Sequence, residues 1–168
     1  MKKIVALILT AIMCFFMCAC DPGSFSPNRD SLNSVIGVEL IEYTNTEQKH
    51  FTTWVPDYFD ELAPFNLTNA TTIDALPAEK IPDFLDAFSA TDILHSYYAY
   101  NSPKDICIKL NYENGDFLIV WANYAENHFG GYIGKYAADG TVSSFWGSFS
   151  ALSYYEDLVN QYFNYILE

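Results

Sequence analysis

An alternating run interrupted by Asn-Gly dominates the second half of the chain. Ile106, Ile108, Leu110 and Tyr112 alternate with Asp105, Cys107, Lys109 and Asn111, and Glu113-Asn114-Gly115-Asp116 follows. Period-two alternation marks a strand with one buried face. Asn-Gly favours a type I′ turn, in which both central residues take positive φ. Such a two-residue turn would set Tyr112 opposite Phe117, Leu110 opposite Ile119 and Ile108 opposite Trp121. One face of the hairpin is then wholly apolar, and Cys107, Lys109 and Asn111 share the other with Leu118, Val120 and Ala122. Residues 132–137 and 142–146 repeat the pattern around Ala138-Asp139-Gly140-Thr141, with Ile133 expected against Trp146 and Tyr136 against Ser143. Joined through residues 126–131, the two hairpins predict a four-stranded antiparallel meander.

The first half is less regular. Residues 35–43 (VIGVELIEY) are rich in β-branched side chains and read as a strand, with a turn over residues 44–50. Residues 71–76 read as a second strand. In between, Trp54, Tyr58 and Leu62 lie at helical spacing, so a short helix is expected after Pro56, ended by Pro64. Ile81, Phe84, Leu85 and Phe88 follow the i, i+3, i+4, i+7 rule of an amphipathic helix. That helix is expected to start near residues 79–82, with Pro82 in its first turn, and to end near Ser89. Ser153 with Glu156 forms a capping box. Tyr155, Leu158, Val159, Tyr162 and Ile166 then mark a second helix over about residues 150–167. Strands and helices are segregated along the chain. The expected class is therefore α+β: the meander plus one or two N-terminal strands, packed on one face against two amphipathic helices.

Composition excludes some functions. The chain has 168 residues, 51% of them hydrophobic and 17% charged, with a formal charge of −13. It is too apolar to be disordered and too acidic to grip nucleic-acid phosphates. Met1-Lys2-Lys3 precedes an uncharged apolar run over residues 4–19, shorter than the ~20 residues a spanning helix needs. The run ends in Met17-Cys18-Ala19-Cys20, which resembles the lipobox of bacterial lipoproteins: Ala19 fits the small residue at −1, and Cys20 the obligatory cysteine at +1. The resemblance implies diacylglycerol on the Cys20 sulfur, cleavage before Cys20, and a protein held on the outer face of the cytoplasmic membrane. The chain as a whole is similar to small lipoproteins of low-GC Gram-positive bacteria. The residues behind this are the Cys20 box, Glu39-Leu40-Ile41-Glu42-Tyr43, Lys80-Ile81-Pro82-Asp83-Phe84-Leu85 and Asn114-Gly115-Asp116-Phe117. This likeness implies no activity. On this reading residues 1–19 are a signal peptide, and residues 20–32 are a lipidated cysteine and flexible tether, rich in Pro, Gly and Ser. Residues 33–168 are one globular domain. The mature chain keeps 149 residues, its charge deepens to −15, and Cys107 is its one unmodified thiol, so no internal disulfide can form.

Chemistry-bearing patterns are sparse. His50, His95 and His128 stand apart, and no HExxH, GxSxG, P-loop or GxGxxG occurs. No catalytic residue, metal ligand set or cofactor is expected. Cys107 could act as a nucleophile only in an accessible, electropositive setting; mid-strand, it is expected to be a packed small hydrophobe. Asp57, Asp60 and Glu61 lack the alternation and glycine of a calcium loop and read as a solvated helix face. Aromatic residues are the unusual feature, 27 in the mature chain, 13 of them Tyr. Tyr97, Tyr98, Tyr100, Tyr132 and Tyr136 form the candidate binding surface, since tyrosine pairs a flat apolar body with a polar tip; the alternative is that the aromatics are ordinary strand residues packed in the core. The expected role is a non-enzymatic interaction domain, anchored to the membrane by its lipid, whose partner is another envelope or secreted protein. The alternative is a cell-wall or glycan-binding module using exposed Tyr and Trp.

Overall fold

The computed structural model describes residues 24–25, 27–44, 64–90, 93–94, 104–125, 128–149 and 152–166. In chain order the elements are β1 (Ser24–Phe25), β2 (Val35–Thr44), β3 (Ala70–Ala75), α1 (Ile81–Ala90), β4 (Ile93–Leu94), β5 (Lys104–Tyr112), β6 (Phe117–Ala125), β7 (His128–Tyr136), β8 (Val142–Phe149) and α2 (Leu152–Tyr162). Short 3-10 turns at Arg29–Leu32, Leu67–Asn69 and Ala78–Lys80 precede β2, β3 and α1. Six strands form one antiparallel sheet in the order β3-β2-β5-β6-β7-β8, and β1 pairs with β4 as a separate ribbon. The architecture is α+β, with the predicted meander as β5 to β8 and both N-terminal strands beside it. Thr44, expected to open the turn over residues 44–50, is the last residue of β2; the rest of that turn and the helix expected after Pro56 lie outside the described residues.

The hairpin register differs from the expected one by a residue. Leu110 lies opposite Leu118, Ile108 opposite Val120 and Cys107 opposite Trp121. The cause is the loop length. Gly115 N–H donates to the Tyr112 carbonyl (3.0 Å), Tyr112 N–H donates to the Asp116 carbonyl (2.9 Å), and Gly115 takes φ +88°. This is a three-residue loop, a turn followed by a left-handed glycine, in place of the two-residue type I′ turn. Asn114 favours it, because its Oδ1 accepts from the Asp116 N–H (3.1 Å) and its Nδ2 donates to Asp116 Oδ2 (2.9 Å). The second hairpin is built the same way. Gly140 takes φ +86°, and Asp139 Oδ1 accepts from both the N–H and the hydroxyl of Thr141. These bonds hold the Asp139 carboxyl below its usual range. Tyr136 accordingly lies opposite Val142, not Ser143, and Ile133 opposite Gly147, not Trp146, with two register shifts along β7 and β8.

A one-residue slip exchanges the faces of a strand, and here both faces are buried. Val38, Leu40, Ile108, Leu110, Leu118, Val120 and Ile133 pack against Phe84, Leu85 and Phe88 of α1 and Tyr155, Leu158 and Val159 of α2. Ile41, Tyr43, Cys107, Phe117, Ile119, Trp121 and Tyr136 form a second core on the opposite face. Lys109, expected on a half-polar face, sits on this side. Its Nζ lies 3.4 Å from Glu39, the residue directly across on β2, and 5.3 Å from the Phe117 ring centre.

Helix α1 matches its expected bounds, with Pro82 in the first turn and Ile81, Phe84, Leu85 and Phe88 buried. Helix α2 is shorter than expected. It begins at Leu152, which puts Ser153 inside the first turn and removes it from the capping position. It stops at Tyr162, and beyond it Asp74 Oδ2 accepts from the Asn164 N–H (2.9 Å), drawing the chain out of the helix towards β3. The Tyr155 hydroxyl donates to the Ile106 carbonyl (2.6 Å), which fixes α2 to β5.

The predicted tether over residues 20–32 also needs correction. Ser24 and Phe25 pair with Leu94 and Ile93, Pro27 is buried, and Leu32 is fully enclosed by the helix-side core. Arg29 Nε lies 2.8 Å from Asp86 Oδ1 on α1. Proline, glycine and serine suggested a flexible stretch, but the large apolar side chain of Leu32 recruits it to the core. The folded domain therefore begins before residue 33.

Candidate interaction surface

The second core is closed by Phe65. Its ring centre lies 4.5 Å from Tyr43, 5.4 Å from Phe117, 5.6 Å from Tyr136 and 5.8 Å from Trp121. Its N–H donates to the Gly140 carbonyl (2.8 Å). Five residues later Ala70 pairs with Tyr43 at the start of β3. Asn66 caps the intervening turn, its Oδ1 accepting from the Thr68 N–H (3.1 Å). Residues 65–70 thus cross the second face as a strap, from the β7–β8 hairpin to the opposite sheet edge.

This arrangement decides part of the aromatic question. Tyr136, a candidate for the binding surface, is 1% exposed and stacks on Phe117 at 5.4 Å, so it is a core residue. Tyr43, Tyr112, Phe117 and Trp121 are buried as well. Tyr132 lies on β7 opposite Trp121 and Ser148. Cys20, Tyr97, Tyr98 and Tyr100 lie outside the described residues, as do His50, His95, Asp57, Asp60 and Glu61. Cys107 is wholly buried between Ile41 and Trp121 on the neighbouring strands, which denies it the accessible setting a reactive thiol needs. Among the described residues no three His, Cys, Asp or Glu side chains come together as metal ligands, and no helix is long and apolar enough to cross a membrane.

One ionisable group departs far from its ordinary behaviour. Tyr112 is buried, and its hydroxyl has no hydrogen-bond partner among the described residues. Lys135 Nζ sits 4.5 Å from its ring centre and 3.9 Å from Asp116 Oδ2. Burial, and secondarily the Asp116 carboxylate, pushes the Tyr112 hydroxyl up to about 12. The folded state then holds this proton more tightly than the unfolded chain. The corresponding stability is intact below pH 10 and is lost as pH rises from 10 towards 12. Tyr112→Phe is expected to change stability at pH 8 by no more than about 1 kcal/mol, since a buried hydroxyl without a partner contributes little. It should also flatten the loss of stability above pH 10. Urea titrations of both proteins at pH 8 and pH 11 check this; an unchanged alkaline slope contradicts it.

Of the five large apolar side chains exposed among the described residues, Ile36 lies on β2 and Val142 on β8, and the other three, Leu67, Ile73 and Ile166, lie on or near β3. Strand β3 is one edge of the sheet, and its outer backbone groups have no partner strand among the described residues. It carries no Lys or Pro; its guards are the charge of Asp74 and a bulge. Its register against β2 shifts between Leu40 and Ile41, leaving Ile73 without an opposite residue, a bulge. Ile73 is 40% exposed, Leu67 just before the strand is 40% exposed, and Ile166, two residues beyond Asn164, is 80% exposed. Thr71 and Thr72 are exposed beside them. Periodicity could not find this margin, because ATTIDA has neither a helical nor an alternating apolar pattern.

Comparison of the chain with protein-family models, curated proteins and solved structures finds no match.

Proposed function

We propose that the chain is a lipid-anchored extracytoplasmic domain without enzymatic activity, which binds another envelope or secreted protein at the β3 margin. The observation that carries this reading is the coincidence of an open sheet edge with exposed Leu67, Ile73 and Ile166. Strand addition at such an edge supplies main-chain hydrogen bonds, and apolar side chains beside it supply selectivity. Exposed apolar groups at one margin fit a protein surface, while a glycan platform requires outward aromatic rings. The acidic balance steers the domain towards basic partners.

A photo-cross-linking residue placed at Ile73 in native cells tests it, with the same residue at Asp83 on α1 as control. A discrete protein adduct at position 73, absent at position 83 and lost when Leu67→Lys is added, supports the reading. Equal labelling at both positions, or sedimentation of the purified domain with cell-wall glycan and no adduct at 73, overturns it in favour of the glycan module.

A further inference from the structure

We infer that the flank of the domain formed by β1, β4 and β8 lies against the outer-leaflet headgroups of the membrane, with the β3 edge directed away from it. This rests on the proposed acylation of Cys20. Four residue steps separate Cys20 from Ser24, the first residue of β1, and an extended chain spans at most about 14 Å over that distance. A domain of this size has a radius of gyration of about 14 Å. Its anchor is therefore no longer than its own radius, and free tumbling above the bilayer is excluded.

The chain after the anchor is held in place. β1 pairs with β4, and β4 lies against β8 at one edge of the sheet. Pro27 is buried, Arg29 is paired with Asp86, and Leu32 is fully enclosed. Lengthening the anchor by peeling back this segment would uncover the helix-side core. The β8 edge is thus the one brought to the membrane. The β3 edge lies five strand spacings further on, about 24 Å along the sheet. The charge of −15 gives the domain no attraction of its own to an anionic leaflet, so the lipid alone sets this orientation.

The test uses the acylated protein reconstituted in phosphatidylcholine–phosphatidylglycerol vesicles that carry a headgroup energy acceptor. A fluorescent amino acid is placed at Ser144 on β8 or at Thr72 on β3, both exposed. Transfer from position 144 is expected to exceed that from position 72 by about twofold or more, given the spacing along the sheet. A long Gly-Ser insertion after Gly23 should abolish the difference. Equal transfer from the two positions in the membrane-bound protein overturns the orientation and leaves the anchor intact. Transfer no greater than that of Cys20→Ser from either position overturns the acylation reading and the orientation with it.

Discussion

Replacing Gly140 with alanine is expected to destabilise the domain by roughly 3 kcal/mol or more, against about 1 kcal/mol for Gly115→Ala. Both glycines have a left-handed backbone, with φ +86° and +88°. Each substitution therefore carries the same conformational penalty. The surroundings differ. A Cβ on Gly115 would meet the Ala138 side chain at 3.3 Å, a contact that relaxes easily. A Cβ on Gly140 would overlap the carbonyl oxygen of Phe65, which is backbone and cannot swing aside. Moving it breaks the hydrogen bond from Phe65 N–H to Gly140 and lifts the strap from the second core. Gly115→Val should exceed Gly115→Ala only modestly, because a β-branched side chain resists positive φ. Urea unfolding of the three variants measures the differences; equal effects at the two glycines would show that the strap does not depend on this contact.

Phe65→Ala is expected to cost about 3–5 kcal/mol, the range for deleting a fully packed phenylalanine. Phe65 is 3% exposed and touches rings from β2, β6 and β7. Removing it leaves a cavity between Tyr43, Trp121 and Tyr136 that rigid β-sheet backbone cannot close. Water then reaches Trp121, which is 4% exposed in the intact protein. With Trp54 and Trp146 replaced by Phe in both proteins, the emission of Trp121 should shift to longer wavelength in the variant. A loss under about 1 kcal/mol with unmoved emission would mean that other groups seal the second face.

The elements were largely legible in the sequence, and the pairings were not. β2, β3, α1 and the four strands of the meander follow from β-branched runs, from Ile81, Phe84, Leu85 and Phe88, and from the two Asx-Gly sites. Register depends on whether Asn114 and Asp139 occupy a two-residue or a three-residue loop. That choice is made by side-chain bonds to Asp116 and Thr141 that spacing does not reveal. Apolar patterning could not arbitrate, because Phe117, Ile119 and Trp121 alternate with Leu118 and Val120 and all five are buried. Phe65 was hidden in an aromatic stretch whose spacing suggested a helix. Its signal was indirect: Tyr43, Trp121 and Tyr136 share a face that something must cover. Leu32 was masked by the proline, glycine and serine around it. The β3 margin carries no periodic pattern, so its exposure was visible only once the sheet order was known.

The strap also orders events in time. Phe65 reaches its partner Gly140 across 75 residues of chain, and Leu40 reaches Ile108 across 68. The β5–β6 and β7–β8 hairpins, by contrast, close over three-residue loops. Local closures form early, and distant ones wait for them. A chain that emerges N-terminus first presents Ile41, Tyr43 and Phe65 before the strands that cover them exist. Newly made protein therefore passes through a stage in which β2 is a bare apolar edge, and its escape from aggregation depends on how quickly the C-terminal meander follows it out.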